Sequence, residues 1–151
     1  MITDQINLEK TEQLLIDGYA DDRFSKDPLI KNNISKARLI GYLHKSFSNQ
    51  PKEFLYGLIN ASTSNLVAFK TGEFINKNEV LFYLNGGLRN DGHTEYSNML
   101  EFSLINSLTE KGVKWFHAIS SGLNLADMNL SKLGLNYNIE STKIILRKLY
   151  E

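Results

Sequence analysis

With 151 residues, 42% of them apolar, the chain is of ordinary single-domain size and long enough to bury one core. Its 17 Lys and Arg balance 17 Asp and Glu, which excludes the basic field of a nucleic-acid binder and the polybasic run of a membrane-surface anchor. Cysteine is absent, which excludes a disulfide scaffold, a thiolate metal site and a thiol nucleophile, and suits a reducing cytosol.

Asp4 and Glu9 interrupt the N-terminal region, and no apolar run approaches the length of a signal h-region or a membrane span, so a cytoplasmic protein is expected. With 2 Pro and no low-complexity tract or repeat, residues 1–151 read as a single domain.

Leu8, Leu14, Leu15 and Tyr19 recur at helical spacing, with Asn7 as the expected N-cap. After a turn at Asp27-Pro28, Ile34, Ala37, Ile40, His44 and Phe47 form a second helical stripe that follows Asn33. The period then changes. Phe54 to Ala61, Leu66 to Thr71 and Val80 to Asn85 are short and rich in β-branched and aromatic residues. Ser62-Thr63-Ser64-Asn65 and Ile75-Asn76-Lys77-Asn78 separate them, which predicts an antiparallel meander.

Helical spacing returns with Tyr96, Met99, Leu100, Leu104 and Leu108, from Glu95 to Lys111, and Gly112 is placed to stop that helix. Trp115 to Ile119 reads as a strand, Asn124 to Leu133 as a helix ended by Gly134, and Tyr137 to Leu149 as a last strand or strand pair. The order α-α-β-β-β-α-β-α-β predicts an α+β fold with helices packed on a mixed, mostly antiparallel sheet.

The closing run from Leu123 to Leu149 carries more than a fold. Its Asn-led helix, Gly134 stop and following strand resemble the end of a GNAT-superfamily N-acyltransferase. Asn136 with Glu140-Ser141-Thr142 and Ile144-x-Leu146-Arg147 is most similar to the TDP-fucosamine acetyltransferases. Arg23-Phe24, Asp27-Pro28 and the helix running to Tyr42 and Phe47 resemble the same family's acceptor-side segment. Members usually begin with a strand, for which only the short, polar Ile2 to Ile6 is present.

The resemblance implies acetyl-CoA or another acyl-CoA as co-substrate, no metal, and a small-molecule amine as acceptor, most specifically the amino group of a nucleotide-linked deoxy sugar. In this family a glycine-rich loop opening a helix holds the pyrophosphate through backbone N–H groups. Leu88 to Ser97 occupies that place, and Arg89-x-x-Gly92-x-Thr94 matches part of the Arg/Gln-x-x-Gly-x-Gly/Ala pattern. Counted back from Gly112, the loop is a few residues longer and neither glycine falls in register. The cofactor candidates are Leu88, Arg89, Gly92, Thr94, Ser97 and Asn98, and Asp91, Thr94 and Glu95 equally read as a helix cap.

Asn85-Gly86-Gly87 ends a strand where the family supplies a backbone donor to the thioester oxygen, although a Gly-Gly turn is the plainer reading. Asn124 corresponds to the Asn that bonds the pantetheine arm, and it would also N-cap the helix behind it. The family's general-acid Tyr falls on Ser131, a much weaker proton donor, and Tyr137 is the nearest phenol. His93, Glu95 and His117 are candidate bases. Tyr19, Asp22 and Arg23 are the acceptor-binding candidates, with Asp21 beside them.

An amino acid or peptide amine is the alternative acceptor. A degenerate module binding acyl-CoA or a partner protein without turnover is the alternative class. An aminoacyl-tRNA-dependent relative is disfavoured by the balanced charge. Apolar strands such as Leu81-Phe82-Tyr83 suit a homodimer.

Overall fold

The computed structural model describes residues 1–18, 32–88, 95–119 and 129–142. Helix α1 spans Gln5–Gly18 and is capped by Asp4 rather than Asn7. The Asn7 amide donates to Asp4 Oδ1 at 2.8 Å, the geometry of a carboxylate meeting an unpaired first-turn donor. That hydrogen bond holds the Asp4 carboxyl below its usual range. Leu8, Thr11, Leu14 and Leu15 form the buried face, and the Thr11 hydroxyl is satisfied by the Asn7 carbonyl at 2.7 Å.

Helix α2 spans Asn32–Ser48, but its buried face is turned from the predicted stripe. Ser35, Leu39, Leu43 and Ser46 are buried, whereas Ile34, Ala37 and His44 are exposed and Ile40 and Phe47 lie at the margin. The two serines take inward positions. Both are small enough for close approach, and the Ser46 hydroxyl donates to the Tyr42 carbonyl at 3.1 Å, so polar residues fill this face and Ile34 is turned outward.

Strands β1 (Glu53–Ile59), β2 (Leu66–Asn76) and β3 (Glu79–Gly87) form the expected antiparallel meander. β2 runs on to Asn76, past the predicted end at Thr71, leaving Lys77-Asn78 as the turn. Helix α3 (Glu95–Glu110) then leads to β4 (Trp115–Ala118), which pairs parallel with β3, giving the sheet order β1-β2-β3-β4. Gly112 closes α3 at φ +93°, a backbone conformation in which an L side chain is strained. The opening strand is reduced to Ile2, whose amide donates to the Leu55 carbonyl at 2.8 Å before α1 begins.

The sheet divides two apolar clusters. Leu8, Leu15, Leu39 and Leu43 of α1 and α2 pack on Leu55, Phe69 and Leu84 on one face. On the other, Leu100, Leu104 and Leu108 of α3 pack on Phe54, Ala68, Val80 and Phe82. Met99, predicted on the apolar face of α3, is exposed, and Ser97 and Glu101 are buried in its stead. After β4 the described chain resumes at Asn129 and makes a π-helical turn over Leu130–Gly134. Residues 137–142 form no strand, against expectation, and the rest of the predicted closing strand lies outside the described residues.

Candidate functional site

The register between β2 and β3 contains the feature on which the site depends. Glu73 pairs with Leu81 and Gly72 with Phe82, but the next partner of Thr71 is Leu84, so Tyr83 is one residue extra. A bulge of this kind shifts the side-chain phase and bends the strand. Phe82 packs in the α3-side cluster, while Tyr83 and Leu84 both pack on the α1 and α2 side.

The same position is where β3 and β4 part. Their parallel pairing runs from Glu79 opposite Trp115 to Phe82 opposite Ala118, with a last bond from the Ile119 amide to the Phe82 carbonyl at 3.3 Å. β3 continues to Gly87 beyond the end of β4. The Leu88 amide donates to the Val67 carbonyl at 2.8 Å. By the alternation of an antiparallel ladder, the amides of Leu84 and Gly86 therefore also face β2, and those of Asn85 and Gly87 face the opening. Gly87 lies at the start of α3: a Cβ built on it would stand 3.5 Å from the Ser97 nitrogen. The end of the opening thus adjoins the positive end of a helix dipole.

Between the parted strands lies a small open cleft of about 20 Å³ that reaches down to Lys70 of β2 and Glu101 of α3. Lys70 Nζ and Glu101 Oε2 are 2.6 Å apart, and the side chains are only 6% and 7% exposed. The ammonium also lies 4.9 Å from the Phe82 ring centroid. Tyr137 has a buried hydroxyl with no hydrogen-bond partner. Burial, and then the nearby Glu101 charge, push its phenol above the ordinary range and keep it protonated.

A second polar cluster anchors the bulge from the opposite face. The Tyr83 hydroxyl donates to Glu53 Oε2 at 2.5 Å and lies 2.7 Å from Ser46 Oγ. Asn49 Nδ2 at 2.9 Å and Lys45 Nζ at 3.0 Å serve Glu53 Oε1. Burial alone would raise the Glu53 carboxyl, but these donors outweigh it and the net shift is downward.

Of the predicted cofactor residues, Asn85 lines the cleft and its side-chain Nδ2 donates to Ser97 Oγ at 3.3 Å, so the structure brings these two together. Asn98 follows in the first turn of α3, half-buried. Leu88 follows the end of β3, with its amide donated to the Val67 carbonyl of β2. Tyr19, Asp22, Arg23, Arg89, Gly92, Thr94 and Asn124 lie outside the described residues, as do Asp21 and His93. Only the backbone of Ser131 is described, in the π-helical turn, and only that of Glu95, at the start of α3. His117 does not line the cleft: it sits between Glu140, at 3.4 Å from Nδ1, and Glu79, at 3.7 Å from Nε2.

Lys70, Glu101, Tyr83 and Glu53 were missed as site residues. Lys70 and Glu101 did carry a signal. Each occupies an inward phase of an otherwise apolar element, and they have opposite charge. Among the described residues, no cluster of His, Asp and Glu is placed to hold a metal ion, and no helix is long and apolar enough to cross a membrane.

No family model matches the sequence, and no curated protein matches it significantly. Solved structures do. An aminoglycoside N-acetyltransferase in complex with CoA superposes with a TM-score of 0.63 at 12% identity, over 96% of this chain and 90% of that one. The fold is that of the GNAT N-acetyltransferases. A ribosomal-protein-alanine N-acetyltransferase from Brucella melitensis biovar Abortus 2308 gives a TM-score of 0.61 at 11% identity, covering 95% and 94% of the two chains. A protein described as a transcriptional regulator from Bacillus halodurans C-125 gives 0.64 at 11%, covering 96% and 95%.

Proposed function

We propose that the protein is an acyl-CoA-dependent N-acyltransferase acting on a primary amine, and that the acceptor is the amino group of a nucleotide-linked deoxy sugar. The observation that carries the chemistry is the parting of β3 from β4 at the Tyr83 bulge, beside the N-terminal end of α3. The sugar acceptor is supported only by the resemblance of Asn136, Glu140-Ser141-Thr142 and Ile144-x-Leu146-Arg147.

The residues present fit such a co-substrate. The helix end at Ser97 offers donors to an anion, the opening is lined by outward-facing strand amides, and a buried phenol lacks a partner. Acyl-CoA would supply an activated acyl thioester, and coenzyme A would leave as the thiol. The amides of Asn85 and Gly87 are directed to polarise an acyl oxygen and to stabilise negative charge developing on it. Attack by a neutral amine held in the opening needs no enzyme nucleophile, in keeping with the lack of cysteine. The departing sulfur needs a proton, for which Tyr137, still protonated at neutral pH, is the donor assigned, while the attacking nitrogen gives up its surplus proton through water, which restores the phenol; Ser131 is assigned a hydrogen bond to the sulfur. The assigned contacts to coenzyme A are Asn85, Leu88, Arg89, Gly92, Thr94, Ser97, Asn98 and Asn124. Tyr19, Asp22 and Arg23 are assigned to the acceptor.

Isothermal titration with acetyl-CoA and with coenzyme A tests the reading, and saturable binding below the millimolar range is expected. Coenzyme A release should then appear with a nucleotide-linked amino sugar and not with amino acids or peptides. A folded sample that binds neither thioester nor thiol refutes the coenzyme A assignment. Turnover with peptide amines alone refutes the acceptor.

A further inference from the structure

The floor of the cleft is unlike a receptor for a hydrocarbon chain. An apolar tunnel would tighten binding about fourfold for each methylene added to the acyl group, because each is removed from water. Here the space between Phe82 and Asn85 on one side and Ala118 and Ile119 on the other ends on the Lys70–Glu101 ion pair. The pair is almost wholly buried, with its charged atoms 2.6 Å apart. An extended chain reaching this floor would strip the pair of its remaining hydration and offer no hydrogen bond in return.

We propose that the Lys70–Glu101 ion pair sets acyl-chain specificity: the cleft admits an acetyl group, or a short acyl group ending in a hydroxyl, and turns away extended apolar chains. The proposal rests on the acyl-CoA reading above and adds the class of acyl donor to it. A terminal hydroxyl can donate to the Glu101 carboxylate or accept from the Lys70 ammonium, which a methyl group cannot do. The two residues act by polarity and position, and neither is asked to exchange a proton.

The test is a calorimetric series on the intact chain with coenzyme A, acetyl-CoA, butyryl-CoA, 3-hydroxybutyryl-CoA and hexanoyl-CoA. Hexanoyl-CoA is expected to bind at least about tenfold more weakly than acetyl-CoA, and 3-hydroxybutyryl-CoA more tightly than butyryl-CoA of the same length. The paired variant Lys70→Met/Glu101→Met, referred to its own coenzyme A affinity, is expected to reverse the order and favour hexanoyl-CoA. If coenzyme A binds and affinity rises with chain length in the natural protein, the specificity proposal is overturned while the coenzyme A reading stands. A folded paired variant with an unchanged length profile overturns the assignment to this pair. If that variant does not fold, the comparison of the two four-carbon thioesters decides, and equal affinities overturn the proposal. Failure of every thioester and of coenzyme A itself removes the underlying reading.

Discussion

Replacing Tyr83 by Phe removes one oxygen from the most heavily bonded polar cluster among the described residues. That oxygen donates to Glu53 Oε2 and contacts Ser46 Oγ, and Glu53 is only 2% exposed. Glu53 keeps Asn49 and Lys45 on its other oxygen, and a longer bond of 3.3 Å from Ser46 to Oε2. The loss is therefore of one charge-assisted hydrogen bond rather than of every partner, about 2 kcal/mol at neutral pH. In a chain of this size that corresponds to a fall in Tm of about 4–8 °C.

The pH dependence gives a second signature. The folded Glu53 carboxyl lies below its ordinary value of 4.5, after its donors overcome the burial that would raise it. Its contribution to stability is therefore present above the unfolded value and lost as pH falls through the depressed folded one. Tyr83→Phe moves the folded value upward, so the stability gap between variant and natural protein should narrow as pH drops from 7 toward 3. Urea unfolding at a series of pH values measures both quantities. A destabilisation below about 0.5 kcal/mol at pH 7, or a gap that does not change with pH, would refute the anchoring role given to this cluster.

Glu101→Leu alone leaves the buried Lys70 ammonium unpaired and should cost about 3–5 kcal/mol, whereas the paired apolar replacement should lie close to the natural protein; a urea double-mutant cycle reads the coupling. Gly72→Ala should cost about 1–3 kcal/mol, because its Cβ would stand 2.6 Å from the Leu81 carbonyl oxygen and 2.5 Å from the Phe54 ring; chemical denaturation checks it. Asn124→Ala should weaken acyl-CoA binding by about 1–2 kcal/mol with melting unchanged, and an unaltered Kd would remove that residue from the site.

Much of the architecture was legible because it depends on local periodicity. The β-branched and aromatic runs that become β1 and β3, the helical spacing of Leu100, Leu104 and Leu108, and the Gly112 stop all survive in the fold. Each records which face of one element meets the interior, and that preference is written into neighbouring residues. The α2 stripe failed for a related reason. Hydropathy favoured Ile34 over Ser35, but Ser46 faces inward onto Glu53 and Tyr83 of the sheet, a match between distant segments that local sequence does not encode.

The sequence by itself determined the order of elements from α1 to β4 and the lack of a thiol nucleophile. Tertiary structure decided where the extra residue of the bulge falls, which strand amides face the opening, and that Lys70 and Glu101 meet at its floor. These depend on register between segments far apart in the chain. A one-residue slip would exchange the faces of β3, and the meeting of two charges separated by 31 positions is fixed only when β2 and α3 pack together.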